Sequence, residues 1–238
     1  MAANNICKFE LCLPKQTIIC LFNLLEKYPD TEVLGHLHFK PSKHKITELE
    51  LDKNVHVGNG TSVNIDLPVD VKKLIIDCHT HPPKAYKTYN TVIGYPSESD
   101  YKTVLKNIFN NNQLFHILIT IEGLYIIQLS ENMLKKISKK MTLNQILEQY
   151  DGYIKKISKT KQDMRFPACF NVNEKGKPPS CISGTTQEAG KQYADIVNKG
   201  GLFNIQFIPN TRNYKSMSIT IFSKKCHNLK TQFNFRYI

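Results

Sequence analysis

Apolar residues recur along the chain with two different spacings, every three to four residues in some segments and every second residue in others. Helical spacing gives an apolar face to four segments, which we predict to be amphipathic helices: 14–27, 97–110, 141–157 and 185–198. Short apolar runs separate them and predict strands: 32–39, 45–51, 73–78, 114–121, 124–129, 202–208, 217–222 and 232–237. Glu122-Gly123 and Pro41-Ser42 are typical of hairpin turns, so the flanking strands are expected to pair.

The composition of the chain changes between residues 159 and 180, where prolines, a glycine and several charged residues gather. A length of 238 residues suffices for one sizeable domain or for a domain with a smaller appendage. We therefore predict one domain over residues 1–160 and a small C-terminal extension, with both helix and strands, over residues 161–238. The extension carries no motif that assigns it a role.

Two histidines follow the short apolar run at 73–78, in the sequence His79-Thr80-His81-Pro82. Side chains at positions i and i+2 of a strand point to the same side, so the two imidazoles can face one point. A hydrolytic zinc site needs three protein ligands and one open position. Asp100, in the first turn of the next predicted helix, can supply the third ligand. The pattern predicts one catalytic zinc ion held by His79, His81 and Asp100.

Two further residues can serve such a site. A separate carboxylate has to take a proton from the water that the metal activates, and Glu32 lies on a strand that can approach His79. Ser97 can donate a hydrogen bond to the oxyanion that forms on the attacked carbonyl. The sequence Ser97-Glu98-Ser99-Asp100 also fits a helix capping box, in which Ser97 and Asp100 bond to each other. Both interpretations of this segment stay open.

The order of these motifs resembles the JAMM motif of the MPN+ (JAB-like) zinc metallopeptidases. The matching segments are EVLG from Glu32, HTHP from His79 and PSESD from Pro96, and the resemblance covers about residues 14–130. It implies an α/β (mixed α+β) fold, with a curved mixed β-sheet flanked by helices. It also implies zinc binding by the two histidines and Asp100, with Glu32 as general base and then acid, and with Ser97 stabilising the tetrahedral intermediate.

The resemblance further implies a substrate class. Active members of this family cleave isopeptide bonds, chiefly those of ubiquitin and ubiquitin-like proteins, whereas prokaryotic and phage relatives include other peptidases. One departure from the family pattern is clear, because fifteen residues separate His81 from Ser97 and the family's gap is shorter. We expect Lys84–Tyr95 to form an added loop, rich in tyrosine, that could shape the substrate groove.

Charge leaves a non-enzymatic alternative open. The formal net charge is +12, and lysines cluster at 135–140 and 155–161. Such clusters are either solvated helix faces or a surface for nucleic acid or another acidic partner. No aromatic residues alternate with these lysines, as they would in a surface that stacks bases. A scaffold protein that binds a protein partner through its C-terminal extension is the remaining hypothesis.

Two other groups of residues could bind a metal. His36 and His38 form a second H-x-H pair and share their parity with Glu32, which would make a third ligand. In the tail, a structural zinc site is conceivable, although its cysteines have no knuckle-like spacing. Its ligands would be Cys169, Cys181, Cys226 and His227.

The chain shows no secretory signal and no stretch that approaches the length of a membrane helix. Seven cysteines are present, an odd number, and none forms a C-x-x-C pair. We therefore expect a cytoplasmic protein without membrane association, whose cysteines are free thiols in a reducing compartment.

Overall fold

The computed structural model describes residues 6–40, 47–60, 63, 75–88, 93–110, 113–138, 141–159, 185–223 and 236–237. The helices in this part of the chain are α1 (Lys15–Lys27), α2 (Pro83–Thr88), α3 (Glu98–Asn110), α4 (Glu131–Ser138), α5 (Leu143–Lys159) and α6 (Thr186–Lys199). The strands are β1 (Cys7–Leu13), β2 (Val33–Lys40), β3 (Glu48–Leu51), β4 (His56–Val57), β5 (Ile75–Thr80), β6 (Gln113–Ile119), β7 (Gly123–Leu129), β8 (Phe203–Pro209), β9 (Met217–Ser223) and β10 (Arg236–Tyr237). The mixed α+β class is confirmed.

All of these strands belong to one mixed sheet that nearly closes on itself. Its order is β10-β1-β3-β2-β5-β6-β7-β8, with β9 also paired to β1 and β4 to β2. Strands β5 and β6 are parallel, as are β1 and β3, and the other pairs are antiparallel. The side chains of Gln128 and Gln206 bond to the main chain of β9 at Thr220 and Phe222. These bonds connect the two ends of the sheet.

The sheet separates two hydrophobic cores. Helix α1 begins after Pro14, whose fixed φ suits a helix start, and it buries residues such as Ile18 and Leu21 against one face. Helices α3, α5 and α6 cover the other face. On β5, Ile76 and Cys78 pack in the α1 core, so the alternation of strand side chains turns Asp77 and His79 toward the opposite face. The polar residues of β5 therefore lie on the α3 side of the sheet.

Gly35 allows β2 to lie close to its neighbours at the middle of the sheet. It is directly opposite Cys78 on β5. A Cβ atom at position 35 would be 3.0 Å from Sγ of Cys78 and 3.1 Å from Cδ1 of Leu51, so these two side chains would have to shift slightly to accept it.

The C-terminal residues complete the same sheet. Strand β8 pairs with β7 along its whole length, and β9 does the same with β1. Helix α6 packs on β8, and the Tyr193 hydroxyl donates to the carbonyl oxygen of Pro96 at 3.1 Å. The predicted boundary at residue 160 adjoins residues outside the described part, so it stays a prediction. The described strands of the tail, β8 and β9, nevertheless belong to the same sheet as the strands of the first 160 residues.

Most predicted helices and strands are present in the described residues, and some elements differ from the prediction. The prediction of an irregular loop over Lys84–Tyr95 is wrong in part, because Pro83 initiates α2 there. Strands β1 and β4 and helix α4 were not predicted. In β1 the alternation of buried Phe9, Leu11 and Leu13 has the strand period, but the burial that distinguishes it from a loop is tertiary. Of the strand predicted at 232–237, only 236–237 lies in the described residues.

One of the four described cysteines differs from expectation. Cys7 is disulfide-bonded, so the prediction of free thiols is wrong for this residue. Cys12, Cys20 and Cys78 are free. In the described part of the chain, no helix combines the length and the apolar character needed to cross a bilayer. The cytoplasmic location stays a prediction.

Candidate metal centre

The predicted ligands meet where β5 ends and α3 begins. Strands β5 and β6 are parallel, and the chain between them contains α2 and α3. Such a crossover returns the chain across the sheet, and it places the first turn of α3 near the carboxyl end of β5. His79 is the penultimate residue of β5, and the amide of His81 continues the pairing by donating to Ile119 O at 2.9 Å. The two histidines therefore face Asp100 together.

The donor atoms of these three residues lie within 4.8 Å of one another, and each imidazole is close to a different oxygen of the carboxylate. The Nε2 atoms of His79 and His81 are 3.2 Å apart. Oδ1 of Asp100 is 3.3 Å from Nε2 of His79, and Oδ2 is 3.3 Å from Nε2 of His81. Corners of a tetrahedron are about 3.3 Å apart when the metal–ligand bonds are about 2.0 Å long, as they are for zinc and imidazole nitrogen. Two nitrogens and one carboxylate oxygen also suit zinc chemically, so the residues fit this ion.

The capping interpretation of Ser97–Asp100 is also correct. The amide of Ser97 donates to Oδ2 of Asp100 at 2.6 Å, and the amide of Asp100 donates to Oγ of Ser97 at 3.2 Å. This reciprocal pair is a capping box at the start of α3. Oγ of Ser97 is also 2.7 Å from Oγ of Ser99. If Ser99 donates this bond, the hydroxyl proton of Ser97 is free to point toward a substrate oxygen.

Electrostatics favour the metal-binding forms of His79 and Asp100, whereas they favour the protonated form of His81. Burial lowers the pKa of His79 to about 4, so its imidazole is neutral at pH 7. Burial alone would raise the pKa of Asp100, but the neighbouring imidazoles of His79 and His81 hold it well below its ordinary range. For His81, burial is outweighed by the hydrogen bond and the charge of Asp100, which raise the pKa. A neutral imidazole and an ionised carboxylate are the species that coordinate zinc.

Glu32 lies beside these ligands. Leu34 pairs with His79 across β2 and β5, and the amide of Val33 donates to Oγ1 of Thr80 at 2.9 Å. Continued by one further residue, this antiparallel register sets Glu32 next to His81. Glu32 is 9% exposed, and burial raises its pKa to about 7, with His81 lowering it and Asp100 raising it further. A carboxylate with a pKa near neutrality suits a general base.

The sequence did not indicate the residues that orient His81 through its Nδ1 atom. Nδ1 of His81 donates to the carbonyl oxygen of Gly94 at 3.0 Å, and the amide of Gly94 donates to Oε1 of Glu122 at 2.8 Å. Glu122 also accepts bonds from the hydroxyls of Tyr86 at 2.7 Å and Tyr125 at 3.2 Å. Burial raises the pKa of Glu122 despite these bonds. The sequence indicated only a turn at Glu122, since Glu-Gly at a hairpin tip carries no sign of a distant partner.

A second set of polar residues contacts Nδ1 of His79, and the sequence did not indicate this set either. Nδ1 of His79 is 2.6 Å from Nε2 of His116, and Nδ1 of His116 is 2.6 Å from Oδ1 of Asp77. The amide of Gln113 also donates to Oδ1 of Asp77. The only signal in the sequence was the shared parity of Asp77 and His79. His116 comes beside them through the register of β5 and β6, in which Asp77 pairs with His116.

Two tyrosines in the described residues of the expected loop, Tyr86 and Tyr95, contact other parts of the protein. Tyr86 lies on α2 and bonds to Glu122, as described above. The ring of Tyr95 stacks on that of Tyr193 with centroids 5.3 Å apart. Tyr89, the third tyrosine of the predicted loop, is outside the described residues. Tyr86 and Tyr95 are thus bound to the core, which leaves the shaping of a substrate groove a prediction.

The other two candidate metal sites gain no support from the described residues. Among the described residues, the one group of three or more His, Cys, Asp or Glu side chains with suitably close donor atoms is His79, His81 and Asp100. His38 is exposed, and its Nδ1 is 2.5 Å from Oδ1 of Asp52, while the ring of His36 meets His56 edge to face. The proposed tail site at Cys169, Cys181, Cys226 and His227 lies outside the described residues.

Comparisons of the chain with protein-family models, with curated proteins and with solved structures found no match. The interpretation of the site therefore depends on its geometry and on the order of its motifs.

Proposed function

We propose that this protein is a zinc-dependent metallopeptidase of the JAMM/MPN+ kind, with zinc held by His79, His81 and Asp100. The observation that carries the proposal is the convergence of two imidazole nitrogens, 3.2 Å apart, and one carboxylate whose two oxygens each lie 3.3 Å from one of them, distances close to the edge of a zinc tetrahedron. The nearly closed mixed sheet with helices on both faces is compatible with the curved sheet of that family. The specific MPN fold is part of the proposal.

The residues of the chain divide the work of amide hydrolysis. A zinc ion in this site would supply Lewis-acid activation of water and of the scissile carbonyl. Glu32 takes up a proton as general base and returns it to the leaving amine, for which its raised pKa is suited. The hydroxyl of Ser97 donates a hydrogen bond to the oxyanion. The walls around His79 and Asp100 exclude bulk water, since these residues are 3% and 16% exposed.

The substrate class follows from the motif order and not from the geometry. We infer an isopeptide bond to ubiquitin or a ubiquitin-like protein, and a C-terminal region available to a protein partner. The complete set of ligands, with the Glu32 carboxylate beside them, favours an enzyme over a scaffold.

A cleavage assay tests the proposal. Zinc-loaded protein is incubated with isopeptide-linked di-ubiquitin and, separately, with a library of linear peptides. We expect cleavage of the isopeptide bond by the wild type and none by Glu32→Gln with its zinc retained. Cleavage of linear peptides alone would keep the zinc peptidase and discard the ubiquitin substrate. A zinc-loaded protein that cleaves neither would contradict the enzymatic proposal.

A further inference from the structure

We propose that Asp77 and His116 are positioning residues that keep the proton of His79 on Nδ1, so that its Nε2 lone pair faces the metal. This inference rests on the proposed zinc site. Asp77 precedes His79 by two residues on β5 and so shares its face of the sheet. His116 is paired with Asp77 from the parallel neighbour β6. The three side chains form one chain of hydrogen bonds that ends at the ligand.

The direction of every bond in this chain is set at Asp77. An ionised carboxylate only accepts, so Nδ1 of His116 has to donate to it across their 2.6 Å contact. When His116 donates only through Nδ1, its Nε2 accepts from Nδ1 of His79 across 2.6 Å, and this is the arrangement of the chain that frees Nε2 of His79 for a metal. This leaves Nε2 of His79 without a proton, 3.3 Å from Asp100 and 3.2 Å from Nε2 of His81. The imidazole is thereby prepared as a ligand before any ion arrives.

The burial of this chain argues for a role in the site. Asp77, His116 and His79 are 0%, 2% and 3% exposed. Oδ2 of Asp77 has no hydrogen-bond partner within the described residues, although Oδ1 accepts from both His116 and Gln113. A buried carboxylate with one oxygen unpaired destabilises a fold compared with an apolar residue of similar size. Carboxylates behind metal-binding histidines are a general means of orienting the ring.

The other ligand is oriented by different means. His81 donates Nδ1–H to the carbonyl oxygen of Gly94, and a carbonyl can only accept. The tautomer of His81 is therefore set by the main chain, which no side-chain substitution at Asp77 alters. The tautomer of His79 depends on side chains alone. This difference makes the inference testable with one isosteric substitution.

The test is Asp77→Asn, with two readouts. The amide of asparagine can donate as well as accept, so the bond direction at His116 is no longer imposed. We expect the zinc Kd, measured by competition with a chelator, to rise about 10- to 100-fold. In the zinc-free wild type, the ring-nitrogen chemical shifts of His79 should show the Nδ1–H tautomer. In Asp77→Asn they should show a population with the proton on Nε2.

A matched control separates positioning from general damage to the strand. Cys78→Ala alters a fully buried residue between Asp77 and His79 that faces the α1 core, so it should lower stability and leave the zinc Kd unchanged. Should the zinc-free wild type carry the His79 proton on Nε2, the inference is overturned even if Asp77→Asn fails to fold. Equal zinc affinity and an unchanged tautomer in Asp77→Asn would also overturn it, and the proposed function would stand. A wild type that binds no zinc would overturn both.

Discussion

Ser97 and Asp100 bond to each other in both directions, and the same Asp100 carboxylate faces both histidines. The backbone amide of Ser97 lies 2.6 Å from Oδ2 of Asp100, and this oxygen is 3.3 Å from Nε2 of His81. The capping box therefore fixes the rotamer that presents the carboxylate to the site. Helix capping and the proposed metal ligation, which the sequence left as alternatives, are compatible with each other in this arrangement.

Substitution of Ser97 by alanine tests whether the hydroxyl does more than cap the helix. Loss of the cap should cost about 1 kcal/mol of stability. Loss of an oxyanion donor should also lower kcat about 10²- to 10³-fold. Thermal unfolding, zinc content and single-turnover cleavage measure these effects separately.

Thr185 supplies the control for this experiment. It forms the same kind of capping box with Glu188 at the start of α6, and these bonds involve none of the proposed ligands. Thr185→Ala should cost a similar amount of stability and leave kcat unchanged. A Ser97→Ala variant whose kcat equals that of Thr185→Ala would restrict Ser97 to a capping role.

Glu32→Gln should separate catalysis from metal binding. Glutamine keeps the size of the side chain but cannot take up the proton, so we expect kcat to fall about 10²- to 10⁴-fold. The zinc content should stay at the wild-type level, because Glu32 is not a ligand. A variant that loses its zinc along with its activity would instead make Glu32 part of the coordination sphere.

The same variant should change how stability depends on pH in the metal-free protein. Burial raises the pKa of Glu32 from 4.5 to about 7, so between these values the folded state binds more protons than the unfolded state. The contribution of Glu32 to the free energy of unfolding therefore falls as pH rises through this window and is constant above it. Glu32→Gln removes this contribution, and its melting temperature relative to the wild type should rise from pH 4.5 to pH 7. A difference that is independent of pH would refute the raised pKa.

Gly94→Ala should disturb the hydrogen bond that orients His81. A Cβ atom at position 94 would collide with the hydroxyl of Tyr86, which bonds to Glu122. We expect a loss of about 1–3 kcal/mol in stability, as for other overpacked sites, and weaker zinc binding because the carbonyl that orients His81 moves. Gly152→Ala is the control, since that helical glycine has open space around it. It should raise stability by about 0.5–1 kcal/mol. Equal zinc affinity in the two variants would contradict the role of Gly94.

The ligands could be predicted because their residue types and local spacing contain most of the information. His79 and His81 share a side through the two-residue period of a strand, and Asp100 belongs to a segment with a recognisable helix start. The helices and strands around them were predictable for the same reason, since their apolar faces have a regular period. Glu32 needed the family resemblance, because nothing local connects it to His79.

The residues that orient the two candidate histidine ligands could not be predicted, because the pairing of distant segments brings them there. His116 reaches His79 only through the register of β5 and β6. Glu122 reaches His81 only through Gly94, and Gly94 follows a helix that the polar pattern of residues 84–95 did not indicate. Strands β8 and β9 likewise complete the sheet through pairings with β7 and β1 that no sequence pattern specifies.

The metal content of the purified protein tests the central claim most directly. Wild type, His79→Ala and His38→Ala are compared by elemental analysis after exposure to zinc and removal of excess. We expect about one zinc per chain in the wild type and in His38→Ala, whose exposed imidazole pairs with Asp52, and none in His79→Ala. A folded wild type without zinc, or a His79→Ala variant that keeps it, would contradict the account.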